Sequence, residues 1–320
     1  MASRGTDKQR QKLQKSVEDG NYYEAHQMYR TVARRYLAQE KYAPAIELLY
    51  SGAGLLLKHG QGGSGSDLSV YMLDAYEQGN VKVDEESLER VIALLHAYPP
   101  GEAGRKKFIQ RAVTWSQKYG DVPTGDPELH DHIGTVLWKE KNYAEAEKHL
   151  LDGTDDSATK LGQLELEWAT KERSDDAGAF IARAVFQYLA EKKIQYATLA
   201  YTAFTAQLPT SLKAKPVAFR PSPSESSIDV PTFKSPMINF TNFILLCVQR
   251  DAVDLYKMAL EKYQHVWTLR DKEMMTDLLQ TIGFVFFNIP KPKPQTNMMA
   301  EMMRSMFMGQ GNVNRRADVD

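Results

Sequence analysis

The chain lacks most of what marks a secreted, membrane-spanning or metal-bound protein. One cysteine, Cys247, occurs in 320 residues, so no disulfide framework or cysteine zinc site can form within it. Charge of one sign is not in excess, since 40 lysines and arginines meet 41 acids, a net charge of −1. Bulk charge therefore draws neither nucleic acid nor an anionic membrane, and any charge-driven recognition must be local. The longest apolar run, residues 238–248, is broken by Asn239, Thr241 and Asn242 and is too short to cross a bilayer. The opening residues, MASRGTDKQRQKLQK, have no apolar core of the signal-peptide kind. These absences predict a soluble, cytoplasmic chain with no direct membrane insertion.

Catalytic and metal motifs are missing as well. The seven histidines are scattered, and the one close pair, His130 and His132, has i, i+2 spacing that splits it between helix faces. No serine stands in a nucleophile elbow and no carboxylate pair sits in a glycosidase context. The expectation is a non-enzyme without metal or cofactor. One stretch argues otherwise: KHGQGGSGSD places Gly60, Gly62 and Gly65 as G-x-G-x-x-G, with Asp84 downstream. A dinucleotide fingerprint needs a strand before it. The preceding Ala45, Ile46, Leu49, Ala53, Leu56 and Leu57 instead follow a helical period. The stretch is therefore expected to be a flexible helix–helix connection, with Ser66 or Asp67 capping the next helix.

What is present is helix. GNYYEA (20–25), EKYAPA (40–45), KNYAEA (141–146) and KKIQYA (192–197) repeat a bulky residue followed by alanine one turn later, the pattern of tetratricopeptide-like hairpins. The patterning predicts helices at 6–19, 22–38, 42–58, 66–79, 84–97, 103–119, 127–140, 143–152, 158–171, 175–190, 193–207, 236–250, 252–264 and 270–287. The fold expected is all-α: an irregular α-solenoid with a small β-hairpin insertion. The hairpin falls in 209–235, where five prolines forbid a helix and VAF and IDV flank a PSPSESS turn. Residues 291–320 form a methionine-rich tail, expected to be disordered, in which Met298, Met299, Met302, Met303 and Met306 keep helical spacing.

Two charge patterns stand out. Lys8, Lys12 and Lys15 form one stripe, and His26, Arg30 and Arg34 another, while Met28, Tyr29, Val32 and Tyr36 should pack inward. Asp67, Asp74 and Gln78 make an acidic line that could pair with lysines or arginines across an interface.

The runs GNYYEAHQMYRTVARRY, QGGSGSDLSVYMLDAYE, GDPELHDHIG and MMAEMMRSMFMG resemble the Golgi-to-ER traffic protein four family, in order, from about residue 8 to 311. That resemblance implies an adaptor in tail-anchored protein targeting. The N-terminal half, 1–150, would dock on the cytosolic targeting ATPase. The C-terminal half, 151–290, would grip a ubiquitin-like-domain protein that recruits a co-chaperone carrying tail-anchored substrates. Two adaptors commonly share one dimeric partner, a heterotetramer, and some members serve a larger scaffold with a BAG-type protein. On matching positions, Lys12, His26 and Arg30 would anchor the ATPase, and Asp67 and Asp74 would regulate it. Phe219, Phe233, Phe240 and Phe243 are the candidates for the ubiquitin-like partner. The Pro/Ser-rich turn and the last nine residues have no family counterpart. Two other readings compete: a chaperone binding hydrophobic segments through the methionine tail and residues 238–248, and a generic solenoid scaffold.

Overall fold

The structure, a computed structural model, describes residues 4–172, 176–219, 228–268 and 271–291. The methionine-rich tail from residue 292 onward, expected from sequence to be disordered, lies outside these residues. The helices are α1 Arg4–Glu18, α2 Tyr22–Leu37, α3 Tyr42–Lys58, α4 Gly62–Gln78, α5 Glu85–Ala97, α6 Ala103–Tyr119, α7 Pro127–Lys139 and α8 Tyr143–Leu151. They continue as α9 Asp155–Lys171, α10 Gly178–Ala190, α11 Ile194–Ala206, α12 Pro236–Gln249, α13 Val253–Lys262, α14 Gln264–Trp267 and α15 Lys272–Phe287. Between α11 and α12, β1 Val217–Phe219 pairs antiparallel with β2 Ile228–Val230, Val217 opposite Val230.

Successive helices fold back on one another and build two layers. Helices α1, α3, α5, α7, α9 and α11 form one; α2, α4 and α6, then α8, α10 and α12, form the other, and α15 lies against α10. One turn recurs through the stack. A left-handed residue ends a helix and the next helix starts two positions on: Gly20, Glu40, Gly60, Lys141, Lys192 and Asp251 all have positive φ. At each site the same Schellman closure recurs, as where the Lys41 N–H donates to the Tyr36 carbonyl and that of Asn142 to Leu137. The alanines of the repeated motif, Ala25, Ala45, Ala146 and Ala197, are fully buried in the first turns that follow.

The glycine stretch is another copy of this turn, which corrects the flexible connection expected from sequence. Gly60 takes the left-handed position at φ +71°, and α4 begins at Gly62 rather than at Ser66 or Asp67. Gly62 and Gly65 occupy the slots that Tyr42 and Ala45 fill in the preceding copy. A Cβ on Gly62 would lie 1.8 Å from a Glu102 carboxylate oxygen, and one on Gly65 2.6 Å from Leu57 Cγ. These glycines permit close packing rather than freedom. Helix α9 also starts earlier than its pattern suggests, because Thr154 and Ser157 form a capping box.

The hydrophobic core runs without a break from Leu13 to Ile282. Across its middle, Arg183 of α10 donates to both Glu147 oxygens of α8, at 2.8 and 2.9 Å, and to Glu165 of α9 at 3.2 Å. Burial pushes the Glu165 carboxyl well above its ordinary range, and the neighbouring Glu147 adds to the rise. The guanidinium also lies over the Trp168 ring, 5.0 Å from its centroid.

Candidate docking face

Three neighbouring helices place their charges on one face. On α2, His26 and Arg30 are one turn apart; on α4, Asp67 and Asp74 are two turns apart, with Glu77 a turn further. Arg30 Nη1 donates to Asp67 Oδ1 and Oδ2 at 2.5 Å, and His26 Nε2 meets Oδ2 at 2.8 Å. The Arg30 guanidinium also stands 5.6 Å from the centroid of the Tyr71 ring. Burial raises the Asp67 carboxyl, but the hydrogen bonds from Arg30 and His26 outweigh it and hold the group below the usual carboxylate value. Arg30 and Asp67 remain 36% and 38% exposed, so the pair is open to solvent and to a partner.

The sequence suggested that the acidic line would find cations across an interface. In the free chain it finds them at home: Asp67 pairs with α2, while Asp74 and Glu77 accept from Arg111 Nη2 of α6, the latter at 2.8 Å. Ser66 is not a cap but a buried hydroxyl in the second turn of α4. Lys12 and Lys15 are exposed on α1, whose Leu13 and Val17 are buried; the Lys8 side chain lies outside the described residues. Tyr29, Val32 and Tyr36 pack inward as their spacing requires, with Met28 partly buried against them.

The C-terminal candidates fare differently. Phe240 is fully buried, stacked on Tyr263 at 5.3 Å and edge-on to Phe186 at 5.9 Å. It is a core residue, not a free surface, which corrects the expectation for it. Phe233 is also buried, and its backbone is clamped by Asn239, which accepts from the Phe233 N–H at 3.0 Å and donates to its carbonyl at 2.7 Å. Asn239, read from sequence as a break in an apolar run, thus roots the β-hairpin to α12. Phe243 is half-buried, and the Phe219 side chain lies outside the described residues. Residues 238–248 are largely core, with Ile238, Ile244, Leu245, Cys247 and Val248 buried, so they cannot line an open hydrophobic groove. Among the described residues of this half, the large apolar side chains that do reach solvent are Val217, Leu255, Met258 and Phe284; the pattern points to Val217, in the VAF strand, and not to the other three.

Four of the seven histidines meet in pairs across helices. His132 meets His96 at 2.9 Å. The ring of His130 donates through Nε2 to the Thr124 carbonyl and accepts at Nδ1 from His149, 3.1 Å away. Burial pushes both His130 and His149 down, the latter to about 4. Among the described residues no cluster of three or more histidines, cysteines or acids is placed to hold a metal, and no helix is long and apolar enough to cross a membrane.

A stack of antiparallel helical hairpins carrying a row of ion pairs on one layer is a protein of the α-solenoid class, built to present a surface. The chain belongs to the Golgi to ER traffic protein 4 family, whose model matches residues 39–307. It is 36% identical to Golgi to ER traffic protein 4 of Aspergillus fumigatus, over 96% of this chain and 91% of that protein. It is likewise 36% identical to the homologue from Homo sapiens, over 92% of this chain and 84% of the other. The crystal structure of C. therm. Get4 superposes with a TM-score of 0.81 at 34% identity, covering 99% of this chain and 100% of that one. The family's name is that of a traffic factor between Golgi and ER.

Proposed function

We propose that the chain is a non-enzymatic cytoplasmic adaptor for tail-anchored membrane proteins. Its N-terminal half, 1–150, docks on the cytosolic targeting ATPase through Lys12, His26 and Arg30, and Asp67 and Asp74 act on the docked ATPase. Its C-terminal half, 151–290, holds a ubiquitin-like-domain protein that recruits a co-chaperone with its substrate, two adaptors to a complex. The adaptor itself holds no nucleotide; that belongs to the ATPase. The observation that carries this reading is the charged face on α2 and α4 of a member of this family. The half-open Arg30 and Asp67 pair is poised for exchange with a charged partner, and such contacts set orientation and association rate. For the C-terminal partner, Phe219 and the half-buried Phe243 stay as contact residues, and the exposed Val217 on the hairpin takes the place of the buried Phe233 and Phe240.

The test reverses Lys12 and Arg30 to Glu in the full chain. Binding of the ATP-bound ATPase, followed by calorimetry, is then lost, while the ubiquitin-like protein still co-purifies. Survival of ATPase binding in that variant would remove the N-terminal assignment.

A further inference from the structure

The acidic residues of α4 stand between two basic rows, and only the row on α2 has a role in the reading above. On α6, Lys107, Arg111 and Lys118 lie at i, i+4 and i+11, a single stripe along the helix. Lys107 and Lys118 are exposed, Lys118 at 58%. Arg111 bridges Asp74 and Glu77, and Lys118 Nζ lies 3.8 Å from the other Glu77 oxygen. The face is thus basic on α2, acidic on α4 and basic again on α6, with Asp67 committed to the first row and Asp74 and Glu77 to the third.

This arrangement constrains any partner. A cation that approaches Asp74 meets Arg111 already bound there. Displacing Arg111 leaves a guanidinium facing the new interface, and that charge must be answered by an anion as water is excluded. A partner that supplied only a cation opposite α4 and an acid opposite α2 would leave the third row uncompensated. We propose that α6 supplies a second basic row, Lys107, Arg111 and Lys118, to the docking face, and that the partner is a protein surface with an acidic patch opposite this row. The inference rests on the ATPase-docking reading and adds a contact that reading does not contain.

The experiment titrates the full chain with the ATP-bound targeting ATPase at low and at raised salt. The double variant Lys107→Glu, Lys118→Glu keeps Arg111 and its bond to Asp74, gives up the Lys118 contact with Glu77 and alters only exposed side chains, so a folded protein is expected; a thermal melt checks it. The expected result is about tenfold weaker binding, with a shallower dependence on salt. The control Lys257→Glu, an exposed reversal on α13, leaves binding unchanged. If the α6 double variant binds like wild type while Lys12→Glu with Arg30→Glu abolishes binding, the α6 row is overturned and the docking reading stands. If both double variants bind like wild type, the docking reading itself falls.

Discussion

At the N-terminal end of the stack the residues that carry chemical information are half open: Arg30 and Asp67 are 36% and 38% exposed. At the C-terminal end Phe240 is 0% and Phe233 8% exposed. The difference follows from the side chains themselves. A charged stripe must stay near water or be paired, so a run of charges at helical spacing reports a surface. An aromatic at helical spacing is drawn to the core by its area, so it reports packing first. Between the two ends, Arg183 satisfies the rule by pairing: only 19% exposed, it is held by Glu147 and Glu165 at the joint. The comparison can be broken or sharpened at each of these places.

The largest effect is expected at the joint. Arg183→Met leaves Glu147 and Glu165 buried, 10% and 0% exposed, without their cation. Breaking a buried pair from one side costs about 3–5 kcal/mol, read as a lower urea midpoint. Glu165→Gln should cost less than Arg183→Met, because burial and the neighbouring Glu147 raise the Glu165 carboxyl and favour its neutral form. A larger loss for Glu165→Gln than for Arg183→Met would show that the ionised form of Glu165 matters and reverse this assignment.

Phe240→Ala comes next. Removing a fully enclosed ring from between Phe186 and Tyr263 costs about 3–5 kcal/mol in transfer and cavity energy. The variant is expected to melt earlier and, below its melting point, to bind the proposed ubiquitin-like partner undiminished. Loss of that binding with an unshifted melt would return Phe240 to the interface.

The charge rows were legible in sequence on α2 and α4 because three or four residues at i, i+4 or i, i+7 define a face without knowledge of what lies beside it. Which row would answer which was not legible. The pairing of Asp67 with Arg30 and of Asp74 with Arg111 spans 37 positions in each case and depends on how hairpins stack. The α6 row follows the same spacing, but nothing in one dimension sets Lys107, Arg111 and Lys118 apart from an ordinary solvated helix face. The helices themselves were visible nearly residue by residue. Departures came at the start of α9, set by its capping box, and most at the start of α4, where glycines that read as a flexible loop in one dimension are helix positions pressed against Leu57 and Glu102 in three. Burial of Phe233 and the clamp by Asn239 were invisible, since both depend on the hairpin folding back onto α12.

A smaller effect arises where imidazoles are buried at α7 and α8. His149 takes a proton in the folded chain only near pH 4, against 6.5 when unfolded, and His130 is shifted the same way. Between those values the unfolded chain binds protons that the folded chain does not. Stability is therefore full above about pH 6.5 and falls progressively towards pH 4, by about 2–3 kcal/mol from His149. Denaturant titrations across this range measure the slope. The variant His149→Gln, which cannot charge, is expected to flatten it; an unchanged slope would assign the acid sensitivity elsewhere.

The smallest change in stability is expected at Asp67. Asp67→Asn removes one partner of a half-exposed ion pair, and pairs so screened by water contribute at most about 1 kcal/mol. The melt should barely move, in contrast to Arg183→Met. The effect on binding runs the other way. Asp67 competes within the chain for Arg30 and His26, at 2.5 and 2.8 Å. With the carboxylate gone, both groups are free for the proposed acidic partner surface without first exchanging a ligand. The association rate with the ATPase should then rise, most clearly at low salt, where steering by charge is strongest. A slower association, measured by stopped flow, would mean that Asp67 positions Arg30 rather than competing for it. The N-terminal face would then be a rigid template, fixed by its own ion pairs as firmly as the C-terminal half is by its core.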